Sequence, residues 1–293
     1  MTSNFDHARE LVYAQDRDRF FASLFAPEKE RQALLALFAF NIEIARVRDL
    51  VREPLPGEVR LQWWRDFLNG VEHGDASANP IAAALGETIK IYELPVKPLT
   101  DMIDARIFDL YNDPMPSLND LEGYCGETVS ALFQMSCLIL NKSHPAATDD
   151  HKTPETADLS GHAGVAYGLT GLLRAFPWHA ARGQLYMPQD VFQRHGVDTL
   201  SVLKGKRSDA LSNALNEMHE HVHHHMGRVE KAIQAVQEHL LPAFLPLALI
   251  GPRLRRMKKP SYDPFAAQPD LSQLKRQWLL WRASKNPLRI ARL

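Results

Sequence analysis

The stretch EKERQALLALFAFNIEIARVRDLV, residues 28–51, decides the fold, because its apolar side chains recur at the spacing of a helix face. The positions that carry this period are Leu34, Leu37, Phe38, Ile42, Ile44 and Val47. Pro27 stands just before the run, where proline favours a helix start, and Pro54, Pro56 and Gly57 follow it. The pattern predicts one helix over residues 28–51.

Helical periodicity continues along most of the chain. The other predicted helices cover residues 58–73, 79–93, 96–112, 117–141, 160–182, 188–195, 207–239 and 240–250. No stretch alternates polar and apolar residues as a half-buried strand would. The longest predicted loop, residues 142–159, is polar and contains proline. We therefore predict an all-α fold, with one helical domain over residues 1–252 and a C-terminal tail over residues 253–293.

Composition and cysteine usage indicate a soluble protein of a reducing compartment. The chain has 293 residues, which is enough for one or two domains with a large core. Cys125 and Cys137 fall on one predicted helix, about 18 Å apart, which is too far for a disulfide. The N-terminal residues are too charged for a signal peptide, and the most apolar run, residues 240–251, is too short to span a bilayer.

The tail differs from the rest of the chain in charge. Residues 253–293 contain eleven Lys and Arg and two acids, a net charge of 11 − 2 = +9, within a chain of net charge −1. The segment RQWLLWRASKNPLRIARL, residues 276–293, mixes these cations with Trp and Leu, a composition typical of membrane-surface helices. Two interpretations follow: peripheral contact with an anionic membrane, or a tail that folds back onto the acidic remainder. No nucleic-acid-binding motif accompanies the charge, so we predict no nucleic-acid partner.

A dense histidine run lies on the predicted helix over residues 207–239. His221 and His225 stand one helical turn apart, the spacing of a transition-metal pair. The alternative is a polar helix face, because so dense a run always contains such pairs.

Four stretches resemble the squalene/phytoene synthase family. They are FFASLFAPEKERQALLALFAFNIEIARVRDLVREP (20–54), RLQWWRDFL (60–68), FDLYNDPMPSLNDLEGYCGETVSALF (108–133) and GVAYGLTGLLRAFPWHAARGQLYMPQD (164–190). The resemblance implies the helical fold of isoprenoid (trans-prenyl diphosphate) synthases. It also implies an enzyme that joins two prenyl diphosphates head to head, with Mg²⁺ held by two aspartate-rich motifs. Carboxylate oxygens suit Mg²⁺, and the metal offsets the charge that develops on the leaving diphosphate.

The residues at the two motifs depart from the family pattern. At the first motif the matching positions hold Ala45, Arg46 and Asp49, so Asp49 is the only retained acid. At the second motif the two acids fall at Ala175 and His179. The resemblance therefore supplies no catalytic residue beyond Asp49.

Several other family residues are retained near the second motif. Arg174 and Arg182 are candidates to bind a phosphate or an acidic headgroup, or to pair with acids of the domain. Tyr186, another retained residue, is a further candidate. Tyr124 is also a candidate, since such positions border the prenyl cavity in the active family, and its alternative role is core packing. Pro177 stands between the two replaced acids and is expected to kink or interrupt the helix.

The same departures resemble the branch of the family that contains the mitochondrial complex I assembly factor 6. This implies a non-catalytic protein, without a cofactor, that acts with complex I assembly proteins or subunits at the inner membrane. A bacterial form is expected in the cytoplasm, peripheral to that membrane, and a eukaryotic form in the mitochondrial matrix. The alternatives are a prenyltransferase of the squalene/phytoene synthase type, which would need Mg²⁺, and a module that binds an isoprenoid or another lipid.

Overall fold

The computed structural model describes residues 3–71, 78–142, 144, 156–266 and 270–293. Within these ranges every regular element is a helix, which confirms the predicted all-α class. The α-helices are α1 Asn4–Gln15, α2 Arg17–Ser23, α3 Glu28–Ala45, α4 Val47–Leu50, α5 Pro54–Leu68, α6 Pro80–Tyr92, α7 Val96–Ile107, α8 Leu118–Cys125, α9 Ala131–Lys142, α10 Ala157–Ala181, α11 Gln189–Arg194, α12 Thr199–Leu203, α13 Asp209–Ala232, α14 Leu241–Phe244, α15 Ile250–Met257 and α16 Gln273–Lys285. A π-helical turn, Gly126–Ser130, joins α8 to α9. Most of the predicted loop 142–159 lies outside the described residues.

Several helices begin where a side chain caps the first free backbone amides. Ser3 forms a capping box with Asp6 at the start of α1. Asn79, Ser208 and Ser272 accept hydrogen bonds from the first turns of α6, α13 and α16. These helix starts are therefore specified locally by the sequence.

Several elements differ from the sequence prediction, and α12, α15 and α16 are among the helices that were not predicted. The helix α1 was not predicted, because only a narrow apolar stripe, Ala8 and Val12, interrupts its charged residues. The helix α2 has seven residues, too few to show a helical period. The predicted helix 28–51 is divided at Arg46, where a tight turn brings the Asp49 amide 2.9 Å from the Arg46 carbonyl oxygen. The interruption expected at Pro177 does not occur, because α10 continues through it to Ala181.

The chain forms two compact units, each built from three separated segments. The first unit takes its described residues from 1–111, 131–160 and 236–246. Its core surrounds α3, which packs against α1, α6 and α9, while α5 packs against α7. Phe40 of α3 is fully buried, and its ring meets the Trp64 ring of α5 edge to face at 5.2 Å. Trp64 is therefore a core residue of the first unit.

The second unit comprises the described residues of 112–130, 161–235 and 247–293. The helix α13 lies entirely within this unit and buries one apolar face. The residues of that face recur at helical spacing: Leu211, Ala214, Leu215, Met218, Val222, Met226 and Val229. The π-helical turn lies directly against α10, because a Cβ atom added to Gly164 would stand 2.3 Å from the Ser130 Cα. The Ser130 hydroxyl donates to the Gly161 carbonyl oxygen at 2.9 Å across the same contact.

Both cysteines are buried free thiols, as the spacing predicted. Burial raises the pKa of the Cys137 thiol to about 12, so this side chain stays protonated at neutral pH. Within the described ranges, no helix combines the length and the apolar character needed to cross a bilayer.

We expect Gly164→Ala to lower the free energy of unfolding by about 2 kcal/mol, because the added methyl group meets backbone atoms that cannot rotate away. Gly171→Ala, on the same helix with no atom near the added methyl, is the matched control. It should raise stability by up to about 1 kcal/mol, the usual gain of alanine over glycine within a helix. Urea unfolding measures both values, and equal shifts in the two variants would contradict the close approach.

Candidate functional site

The segment after α10 folds back onto the end of that helix. Gly183 has φ +79°, and the Gln184 amide donates to the His179 carbonyl oxygen at 3.0 Å. The turn places the Tyr186 ring 4.6 Å from the His179 ring, measured between centroids. Gln184 Nε2 donates to the Tyr186 hydroxyl at 3.0 Å, and both residues are buried.

Tyr124 of α8 joins this group from the other side. Its ring centroid lies 5.8 Å from that of Tyr186, in a tilted arrangement. Two of the predicted binding residues therefore share one aromatic cluster with His179, which stands at a position of the second motif. Sequence reasoning did not single out Gln184, whose amide orients the Tyr186 hydroxyl.

A chain of hydrogen bonds links α8, α10 and α13 within the same unit. His225 Nε2 lies 3.2 Å from Glu122 Oε1, and His225 Nδ1 lies 2.9 Å from His162 Nδ1. A carboxylate only accepts, so His225 donates through Nε2 and, when neutral, accepts at Nδ1 from His162. Burial lowers the pKa of His225, while Glu122 opposes that shift, and the net lowering favours the neutral ring.

These hydrogen bonds bear directly on the metal site predicted at His221 and His225. Both ring nitrogens of His225 already face hydrogen-bond partners, so a metal ion would have to displace one of them. His221 Nδ1 lies 4.0 Å from the same Glu122 oxygen. In the part of the chain that the structure describes, no group of three or more His, Cys, Asp or Glu is arranged to hold a metal ion.

Arg174 is engaged by an acid of the C-terminal segment. Its Nη1 lies 3.3 Å from Asp270 Oδ2, while Arg253 and Arg276 reach the same carboxylate at 3.1 and 2.7 Å. Burial alone would raise the pKa of Asp270, but Arg253, the Leu271 amide and Arg174 outweigh it and lower the pKa. Arg174 therefore forms an ion pair, but its partner belongs to the C-terminal segment and not to the predicted domain over residues 1–252.

The remaining predicted residues are exposed. Asp49 lies on the short helix α4 of the first unit, and Arg182 lies in the turn that follows α10 of the second. The Arg182 amide donates to the His179 carbonyl oxygen at 3.0 Å, so its backbone closes the end of α10.

The side chains at the second-motif positions do not suit Mg²⁺. Ala175 supplies no ligand atom, and His179 offers an imidazole that packs on the Tyr186 ring. Mg²⁺ prefers oxygen ligands in near-octahedral geometry, commonly carboxylates, water and phosphate oxygens. The side chains at these two positions therefore do not fit a magnesium site.

Solved structures resemble this arrangement of helices. A dehydrosqualene synthase crystallised with a ligand superposes with a TM-score of 0.78 at 18% identity, covering 98% of this chain and 96% of that chain. The likeness shows that the chain has the all-α fold of the isoprenoid synthases.

Sequence comparison identifies the family. The squalene/phytoene synthase model matches residues 12–282, and the chain belongs to the squalene/phytoene synthase family. The chain is 27% identical over 264 residues to the human protein named NADH dehydrogenase (ubiquinone) complex I, assembly factor 6, covering 90% of this chain and 76% of that protein. It is 23% identical over 272 residues to the 15-cis-phytoene synthase of Synechococcus elongatus, covering 90% of this chain and 87% of the synthase. These similarities confirm the resemblance seen in the sequence.

We expect Asp270→Asn to lower the free energy of unfolding by about 2 kcal/mol. The change removes the negative charge that Asp270 supplies to two buried guanidinium groups, and the partial exposure of this carboxylate reduces the usual cost of breaking a buried pair. Asp101→Asn removes an exposed pair with Lys97 and should cost under about 0.5 kcal/mol. Chemical denaturation of both variants tests the difference, and a cost for Asp270→Asn no larger than that of the control would contradict it.

The stability of the protein should also depend on His219. Burial, then the nearby Lys258 and His223, lowers the pKa of His219 to about 4, from about 6.5 in the unfolded chain. Between these values the unfolded state binds a proton that the folded state excludes, so stability falls as pH falls through this window.

The loss attributable to this residue is about 3 kcal/mol between pH 7 and pH 4. His219→Gln should therefore unfold with a flatter pH dependence than the unsubstituted protein, measured with urea at several pH values. His7→Gln, which alters an exposed histidine, should retain the original slope. A His219→Gln curve parallel to that of the unsubstituted protein would refute this assignment.

Proposed function

We propose that this chain acts in the assembly of respiratory complex I, as a non-catalytic member of its family at the inner membrane. The observation that carries the proposal is the similarity to complex I assembly factor 6, which extends over 90% of the chain. The similarity includes all of the helices that hold the aromatic and histidine contacts described above.

The chemistry of the motif positions supports a non-catalytic role. Ionisation of a prenyl diphosphate needs metal ions to offset the charge on the leaving group. Asp49 is the only acid at the five positions that the resemblance assigns to the two motifs, and one carboxylate does not hold two magnesium ions. We therefore expect no cofactor for this function.

The contacts described above for the second unit serve a structural purpose in this proposal. Two sets of contacts connect α8, α10 and α13. One is the aromatic cluster of Tyr124, Tyr186 and His179. The other is the pair of contacts that His225 makes with Glu122 and His162. Such a frame presents fixed helical surfaces to complex I assembly proteins or subunits, the partners that we propose. Rigid helices suit this role, because a pre-ordered surface loses little entropy on binding.

A second candidate function is a prenyltransferase or an isoprenoid-binding module. The similarity to a 15-cis-phytoene synthase favours it, and the transferase would require Mg²⁺. The two functions make opposite predictions about Asp49.

Deletion of the gene in its source organism should cause a severalfold loss of NADH:ubiquinone oxidoreductase activity and of assembled complex I on native gels. Expression of Asp49→Ala should restore both, because the exposed carboxylate has no catalytic task in this proposal. The purified protein with farnesyl or geranylgeranyl diphosphate and Mg²⁺ should release no pyrophosphate above the protein-free rate.

The control for these measurements is the unsubstituted gene, expressed at the same level as the variant. Normal complex I activity in the deletion strain would refute the assembly role. Pyrophosphate release that disappears in Asp49→Ala would establish the transferase instead.

A further inference from the structure

An open, cationic pocket of about 470 Å³ lies among α15, α16 and the residues that follow α16. Five basic side chains line it: Arg255, Lys275, Arg282, Arg289 and Arg292. Among the described residues, no Asp or Glu side chain lines it. The pocket lies wholly within the second unit and is separate from the aromatic cluster at the end of α10.

These five cations differ from the other arginines of the same segment. Arg253 and Arg276 are buried and bound to Asp270. Among the residues that the structure describes, none of the five pocket cations has a carboxylate within ion-pair distance. Like charges gathered in one concave surface create a positive potential that attracts an anion. Guanidinium groups in particular match the geometry of phosphate oxygens.

The fold holds these cations in place on three elements. Asp270, in the segment before α16, binds Arg253 of α15 and Arg276 of α16, which fixes the two helices to each other. The chain after α16 returns against α15, where a Cβ atom added to Gly251 would stand 2.5 Å from the Arg292 carbonyl oxygen. The pocket is therefore a built feature of the fold.

Next to the pocket, α16 exposes an aromatic face. Leu274, Trp278 and Trp281 are 80%, 50% and 54% exposed. The opposite face of the same helix is buried, at Arg276, Leu280 and Ala283. The Arg282 guanidinium stacks over the Trp278 ring at 4.3 Å, which joins the aromatic face to the rim of the pocket. Tryptophan flanked by cations is the arrangement favoured at the boundary between headgroups and acyl chains.

We propose that the pocket binds the phosphate-bearing headgroup of an anionic lipid at a bilayer surface. The exposed Leu and Trp side chains of α16 then enter the interface beside that headgroup. Charge complementarity selects the phosphate, and the aromatic face favours a lipid source over a soluble phosphate, which would leave that face in water. The inference rests on the proposed placement at a membrane and not on the role in complex I assembly, so either can fail alone.

The test uses the purified full chain and sedimentation with two kinds of vesicle, phosphatidylcholine alone and phosphatidylcholine with phosphatidylglycerol. We expect binding to the anionic vesicles only. The variant Arg255→Glu with Lys275→Glu should weaken that binding roughly tenfold or more, since each cation near an anionic surface contributes appreciably. Both side chains are exposed, so the variant should fold, and circular dichroism verifies this.

A matched variant separates the pocket from overall charge. Lys29→Glu with Arg60→Glu makes the same charge change at exposed sites of the first unit and should bind anionic vesicles like the unsubstituted protein. An equal loss in the two charge-reversal variants, or no loss in either, would overturn the proposed pocket.

A second arm distinguishes a lipid from a soluble phosphate. Trp278→Ala with Trp281→Ala should weaken vesicle binding severalfold, because it removes the side chains that enter the interface. Calorimetric titration with inorganic phosphate should show no saturable binding at millimolar concentrations. Saturable phosphate binding that disappears in Arg255→Glu with Lys275→Glu, together with vesicle binding unaffected by the tryptophan changes, would overturn the lipid assignment.

Discussion

The second unit depends on a single carboxylate that neutralises two buried guanidinium groups. Arg253 and Arg276 have side chains that are each 7% exposed, and both reach Asp270. A buried charge is costly unless it is paired, so the ionised Asp270 stabilises the packing of α15 beside α16. Because these two helices carry the cationic pocket and the exposed tryptophans, the surface chemistry of the C-terminal segment follows from this buried interaction.

Much of the fold was predictable because its signals are local. The period of Leu34, Leu37 and Phe38 predicts α3, and cap residues such as Ser208 mark where helices begin. The division at Arg46 and the continuous helix through Pro177 were not predictable, because tertiary packing decides both against local preference. The helix α1 was not predicted because its buried stripe is only Ala8 and Val12, and α2 was not predicted because its seven residues are too few to show a period.

The sequence predicted several residues of the candidate site, but it did not predict which of them contact one another. Tyr124 and Tyr186 are candidates from the sequence, yet nothing in the sequence shows that their rings meet. The partners of His225 lie 63 and 103 residues away along the chain, beyond any pattern of spacing. Charge counting gives residues 253–293 a net charge of +9, but only the structure separates the arginines bound to Asp270 from the five that line the pocket. That separation is what turns a basic segment into a specific site.

The path of the chain between its two compact units has a consequence for the gene. The polypeptide passes from one unit to the other between residues 111 and 112, 130 and 131, 160 and 161, 235 and 236, and 246 and 247. No continuous stretch of coding sequence therefore encodes either unit. A premature stop codon before codon 253 would remove Arg253, Asp270 and Arg276 together. It would also remove α16 and most of α15 from the second unit. Nonsense alleles in this region should behave as folding defects, whereas missense alleles at the exposed cations should leave a folded protein with an altered surface.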